Sequence, residues 1–374
     1  MRATSSPTPA RERPVRGGAA PRDGATSRGG TRPRGGITSR GGTIPGAGTT
    51  PRAGTGAAVT GGVRSADVAP QLAASTRWLW GVCFRMTGSS ADADDLVQET
   101  FVRAMERPPA RTDEPIGPWL LRVAVNLGRD ALRKRRRRGY TGTWLPAAVE
   151  VEEIAPLEIE GEGGTEGRYD LLESVSFAFL LALEVLTPNQ RAVLVLRDVL
   201  DRSVRETAEM LGLSEANVKV LHHRARQALA PYEETRDRTR PTPEVAKRAG
   251  EALQQFLSAL SAGDEAALLR VLASDAESWS DGGGEFLASK VIVAGAARVA
   301  RMYLGLVKKA TPVERHAVRT LNGVPALVAE RSPHHEGEAP RFVLACDVDG
   351  EGRIARIYSV MASAKLAHVA PVTA

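Results

Sequence analysis

The chain has little cysteine, no long apolar run and, over its first 66 residues, almost no large apolar side chains. Its two thiols, Cys83 and Cys346, lie far apart, and neither belongs to a cluster with metal-ligand spacing. That excludes a disulfide-stapled secreted domain and a cysteine metal site, and it predicts buried, reduced thiols in a cytoplasmic setting. No stretch approaches the ~18 apolar residues that span a bilayer. The N-terminus lacks the apolar core of a secretory signal, so no membrane is expected. Residues 1–66 are built mainly from Gly, Pro, Arg, Thr and Ser. They have too little to bury to offset the entropy of ordering, which predicts a disordered tail. The hexapeptide Thr-Ser-Arg-Gly-Gly-Thr occurs at residues 26–31 and again at 38–43. Arg-Gly-Gly runs bind single strands loosely, and a passive extension accounts for them equally well.

What is present begins with uneven charge. The 374 residues leave room for two or three domains. The formal charge is +6, but residues 1–66 hold eleven Arg and two acids, a local +9, so the remainder carries −3. The basic character belongs mostly to the tail and is not by itself a sign of DNA binding.

Order is expected from about residue 67. Leu72, Trp78, Leu79, Val82 and Met86 predict a helix ending before Gly88. A second helix follows, with Leu96, Val97, Phe101 and Met105 on its apolar side. Asp92, Asp94, Asp95, Gln98 and Glu99 form an acidic face, and Pro108-Pro109 stops it. A third helix opens at Pro118-Trp119. Trp119, Leu120, Val123, Ala124, Leu127 and Leu132 line one side, while Arg122, Asn126, Arg129, Arg133 and Arg136 line another at helical spacing. Residues 139–168 read as a linker, with seven Glu between positions 150 and 166.

Residues 186–229 read as a helix-turn-helix. A short amphipathic helix over 203–211 ends at Gly212, which suits the left-handed conformation of a helix stop, and Ser214 caps the next helix. In that second helix Val218, Leu221, Ala225 and Leu229 form the inward stripe. Lys219, His222, His223 and Arg226 fall largely outside it, where a major groove or phosphates would meet them. A second linker is expected over 233–243. The remainder opens with helical patterns and continues with strand-like runs at 326–329, 342–348 and 354–360, which predicts a small α+β domain. Residues 243–374 hold fifteen bases and fifteen acids, a balance that disfavours DNA binding by this part alone.

Four stretches, in order, carry a family resemblance. They are Asp92 to Phe101, Trp119 to Arg133 within the basic helix, Leu186-Thr187-Pro188-Asn189-Gln190-Arg191-Ala192-Val193, and Val218-Lys219 through Arg224-Ala225-Arg226. Together they resemble the group-four, or extracytoplasmic-function (ECF), sigma factors of bacterial RNA polymerase. The resemblance implies a sigma region two over 67–138 and a helix-turn-helix region four over 169–232, both all-α. It further implies that Asp94, Asp95, Gln98 and Glu99 dock on the polymerase β′ subunit, with β also contacted. Arg122, Asn126, Arg129, Arg133 and Arg136 would then engage the minus-ten element, and Lys219, His222, His223 and Arg226 the minus-thirty-five element. Arg226 and Lys219 suit phosphate positioning better than base reading.

Residues 244–374 resemble a SnoaL-like domain, the cone-shaped α+β fold shared with ketosteroid isomerases and fused to a subset of these sigma factors. Trp144-Leu145-Pro146 and Asp281-Gly282-Gly283-Gly284 resemble two motifs of that subset, which implies an interdomain regulatory contact between them. This chain departs from the subset at Ala147-Ala148, at Glu285 and at Ser363-Ala364-Lys365-Leu366. Asp281 and Tyr303 are available as a carboxylate and a hydroxyl, but no spacing pairs them, so no catalytic residue is assigned. His334-His335 sits in a Pro/Gly-flanked loop; no metal ligand or cofactor is assigned. The leading reading is a promoter-specificity subunit modulated by its own C-terminal domain. The alternative is a helix-turn-helix regulator with a ligand-binding C-terminal domain, which leaves the helices of residues 91–138 without a role. An unidentified small ligand and a separate anti-sigma partner both stay open.

Overall fold

A computed structural model describes residues 65–107, 115–150 and 168–373. The expected N-terminal tail, the Pro108-Pro109 stop and most of the acidic segment lie outside the described residues. The first helix, α1 (Ser65–Thr87), ends where Gly88 turns left-handed with φ +68°. Ser89 caps α2 (Ser90–Glu106) by accepting the Asp92 amide at 3.2 Å. Pro118 stands in the first turn of α3 (Gly117–Arg138). Leu79, Phe84, Leu96, Val97, Leu120, Leu121 and Val125 are buried where the three helices meet. Cys83 is buried and free among them, and desolvation pushes its thiol pKa up.

The helix-turn-helix half is a series of short, capped helices. Ser176 caps α4 (Phe177–Ala182), and Thr187 with Gln190 forms a capping box on α5 (Pro188–Leu194). One π-helical turn, Val195–Val199, precedes α6 (Val204–Leu211), itself capped reciprocally by Ser203 and Glu206. Gly212 stops α6 with φ +63°, and Ser214 caps α7 (Glu215–Ala228). The expected second linker is largely helical: α8 (Ala230–Thr239) runs through most of it. Tertiary bonds explain the difference. Tyr232 donates to the buried Glu173 at 2.7 Å, and Arg236 forks onto the same carboxylate at 2.6 and 2.9 Å.

The last domain begins at Pro243 with α9 (Pro243–Ala262), followed by α10 (Glu265–Val271). Its six strands are β1 (Leu272–Asp281), β2 (Val293–Ala294), β3 (Arg315–Leu321), β4 (Val324–Glu330), β5 (Arg341–Val348) and β6 (Ile354–Val360), with α11 (Ala296–Lys309) after β2. They form one sheet in the order β2-β1-β6-β5-β4-β3, antiparallel except for β1 with β6. The sequence reading finds β4 to β6 but not β1, whose Leu-Ala-Ser-Asp-Ala-Glu-Ser-Trp-Ser-Asp has no β-branched residue.

Period-two alternation gives the sheet two apolar faces. Leu327, Leu344, Cys346 and Ile357 face the helices, packing with Phe256, Leu260 and Val299. Ala326, Val328, Val343, Ala345, Tyr358 and Val360 face the other way. There they meet Leu145 and Ala148 from the linker, Phe177 from α4, and Val369 and Val372 from the C-terminal strap. The first part of the expected linker is therefore a buried segment, because Leu145 to Val149 is apolar and the sheet offers it a face.

Candidate functional site

The residues singled out on α2, α3 and α7 lie on helix faces, several of which are occupied from within the molecule, and the linker and triglycine motifs are largely buried. On α2, Asp95, Gln98 and Glu99 are exposed, with Glu99 paired to Arg103 at 2.8 Å. Asp94 accepts the Trp80 indole N–H at 2.7 Å through one oxygen and meets His368 Nε2 at 2.9 Å through the other.

The polar row of α3 faces the helix-turn-helix half. Asn126 donates to the Met210 carbonyl at 2.8 Å, and Arg129 donates to the Leu211 carbonyl at 3.1 Å. These are the last carbonyls of α6, which have no partner within their own helix. Arg133 reaches Asn189 at 3.0 Å while pairing with Asp130 at 2.7 Å, and Arg136 donates to the Leu186 carbonyl. Arg122 stays exposed, its carbonyl taking the other bond of the Asn126 amide at 2.7 Å. Desolvation and the neighbouring Arg133 both lower the pKa of Arg129.

On α7, Lys219, His223 and Arg226 are exposed. His222 is turned inward: its Nε2 lies 2.7 Å from the buried Asp198 of the π-helical turn, and Arg226 approaches the same carboxylate at 3.9 Å. Ala216, Val220, Arg224 and Gln227 are exposed on this helix as well.

The linker motif and the triglycine motif meet. Asp281 ends β1 and is 1% exposed. It accepts Tyr140 OH at 2.6 Å, the Leu145 amide at 2.7 Å, Lys365 Nζ at 2.5 Å and the Gly283 amide at 2.9 Å. Burial brings Lys365 down to about 8, against the restoring pull of Asp281. Its ammonium also sits 4.6 Å above the Trp144 ring, and Arg135 of α3 lies 4.4 Å from that ring. Arg135 forks onto Glu184 at 2.7 and 2.8 Å, and Glu184 also takes the buried Arg191 at 2.5 Å. Desolvation drops Arg191 to about 10. Asp281, Lys365, Trp144, Arg135, Glu184 and Arg191 thus form one chain of contacts touching all three helical and sheet parts. Two glycines make room for it. A Cβ on Gly88 would lie 2.7 Å from Trp144, and one on Gly283, at φ +64°, would lie 2.7 Å from Ala362 Cβ. Pro146 is buried with Leu145, whose carbonyl accepts Lys365 at 2.5 Å.

Asn322 is a contact that motif reading misses. It stands at φ 51° in the two-residue β3–β4 turn, wholly buried. Its side chain accepts the Val149 amide at 3.1 Å and donates to Ala147 at 3.3 Å and Val175 at 2.8 Å. The Asn-Gly pair was the available signal, since it marks a tight hairpin.

Asp281 and Tyr303 lie on opposite faces of the sheet. The Tyr303 hydroxyl sits among the helices, 3.1 Å from Ser278 and 2.9 Å from Ser359, whereas Asp281 faces the linker. Among the described residues, no cluster of His, Cys, Asp and Glu is placed to hold a metal, and no helix is long and apolar enough to cross a membrane.

An acidic face on α2, a basic row on α3 and a helix-turn-helix whose second helix is basic are the features of a helix-turn-helix transcription protein. Residues 73–138 match the model of Sigma-70 region 2, and residues 176–229 that of Sigma-70, region 4. The chain is 34% identical over 238 residues to the ECF RNA polymerase sigma factor SigJ of Mycobacterium tuberculosis, covering 63% of this chain and 71% of that protein. It is 35% identical over 229 residues to SigG of the same species, covering 57% and 61%. The crystal structure of M. tuberculosis SigJ superposes with a TM-score of 0.61 at 26% identity, over 82% of this chain and all of that one. The chain belongs to the ECF RNA polymerase sigma factors, and its function is promoter-specific initiation of transcription.

Proposed function

We propose that the chain is a sigma factor held in a closed, DNA-excluding arrangement by its own SnoaL-like domain. In this reading Asp94, Asp95, Gln98 and Glu99 dock core RNA polymerase, and Arg122, Asn126, Arg129, Arg133 and Arg136 engage the minus-ten element. Lys219, His223 and Arg226 meet the minus-thirty-five element, with His222 positioning the helix through Asp198. The observation that carries the proposal is the double use of the α3 row. Asn126 and Arg129 end on the Met210 and Leu211 carbonyls of α6, so the same donors cannot reach DNA while α6 stays there. The node at Asp281 ties the linker that joins the two DNA-binding halves to the sheet and the strap. The C-terminal domain acts by geometry and carries out no reaction. Its inward hydroxyls satisfy one another, and its best-placed carboxylate faces away from them. The setting is cytoplasmic, in keeping with two buried free thiols.

Run-off transcription by core polymerase on the chain's own upstream DNA tests this. Asp281→Asn leaves Lys365 without its counter-charge, and the variant is expected to give about tenfold more transcript at limiting protein, since leaving a buried charge unpaired costs several kcal/mol in the closed form alone. Equal output from the two proteins would sink the reading.

A further inference from the structure

We infer that the C-terminal strap, residues 362–372, is an internal ligand of the α2 docking face, so that strap and polymerase exclude each other at Asp94. The inference rests on the assignment of that face to polymerase made above. Both oxygens of Asp94 are engaged, one by Trp80 of α1 and the other by His368 of the strap. The His368 ring lies 5.0 Å from that of Trp80, which is itself stacked on Phe84 at 5.2 Å and 7°. The strap touches α2 a second time where Ser90 donates to the Ala364 carbonyl at 3.3 Å. With one donor already on each oxygen and the His368 ring beside them, a forked arginine from a partner cannot take both oxygens end-on while the strap stays in place.

The strap is anchored on both sides of His368. Before it, Lys365 and Leu366 are buried, and the Lys365 carbonyl accepts the Ala148 amide at 3.1 Å. Beyond it, Arg319 donates to Ala370 at 2.5 Å and Pro371 at 2.8 Å, and the Val372 amide donates to Glu330 at 3.1 Å. The imidazole is thus delivered to α2 by a fixed span rather than by a loose end. The contact itself is shallow, with the Asp94 side chain 41% and the His368 side chain 26% exposed. A shallow pair on a firm anchor is one that a competing surface displaces. Asp95, Gln98 and Glu99 stay open beside it for the first encounter.

The test is the affinity of the full chain for purified bacterial core RNA polymerase, without DNA. His368→Ala is expected to tighten binding about two- to fivefold, the range for removing a partly exposed competing pair. His368→Gln, which keeps a donor on the strap, is expected to stay near the native value. The paired substitution Gln98→Ala and Glu99→Ala is expected to weaken binding in both the native and the His368→Ala backgrounds. If it weakens neither, the docking assignment is wrong. If it weakens both while His368→Ala binds as the native chain or less tightly, the docking face stands and the strap inference is overturned.

Discussion

At the scale of single residues, the chemistry concentrates on a few groups that face two ways. Asp281 accepts four donors from three parts of the chain, and Lys365 is the one whose burial is hardest to sustain. Its ammonium falls from 10.5 to about 8 because desolvation outweighs the attraction of Asp281. A lysine lowered in this way binds fewer protons folded than unfolded between those two values. The folded form is therefore least favoured below about pH 8 and gains as pH rises from about 8 toward 10.5. The urea midpoint of the native chain should rise between pH 7.5 and 9.5 relative to that of Lys365→Met. A constant difference between the two chains across this range would show that Lys365 does not titrate there.

At the scale of elements, the short helices of the second half rely on contacts outside themselves. Turn, cap and stripe are all visible in the sequence of α6 and α7, and Gly212 and Ser214 do there what their residue types suggest. The partners of the α6 carbonyls were not visible. Asn126 and Arg129 lie more than eighty residues away in the chain, and the family resemblance assigns them to DNA rather than to α6. Asn126→Ala removes the donor to Met210 and is expected to cost the closed arrangement about 1 kcal/mol, the usual net worth of such a bond. Amide exchange over residues 204–213 should quicken accordingly, while α7, capped by its own Ser214, should be unchanged. Equal slowing or quickening of both helices would argue that the effect is global rather than local. His222 illustrates the same limit. Periodicity placed it beside His223, yet a buried carboxylate from another turn takes it inward.

At the scale of the molecule, the outer face of the sheet matters most. Leu145, Ala148 and Phe177 are buried against Tyr358, Val360 and their neighbours, with Phe177 stacked on Tyr358 at 5.2 Å. Removing residues 244–374 would strip that cover and leave Leu145, Ala148 and Phe177 facing water. The truncated protein is therefore expected to associate, because an exposed contiguous apolar patch seeks a partner. Light scattering at matched concentrations should detect oligomers in the truncated chain and not in the full one. A monodisperse truncated monomer would mean that these residues find cover elsewhere. Point substitutions at the Asp281 node are for this reason the cleaner way to open the molecule.

The sequence alone determined helices α1 to α3 and the helix-turn-helix of α6 and α7, because helix periodicity, caps and glycine stops are local properties written in neighbouring residues; the family came by resemblance of four stretches. It also marked Trp144-Leu145-Pro146 and Asp281 to Gly284 as a pair by resemblance. Only the tertiary structure decided that this pair meets through Tyr140, the Leu145 amide and Lys365. It alone turned His222 inward and laid His368 on Asp94. The physical reason is range. Hydrogen bonds and ion pairs between residues in different elements, here 24 to 274 positions apart, depend on how whole faces pack, and no local pattern encodes the identity of the partner.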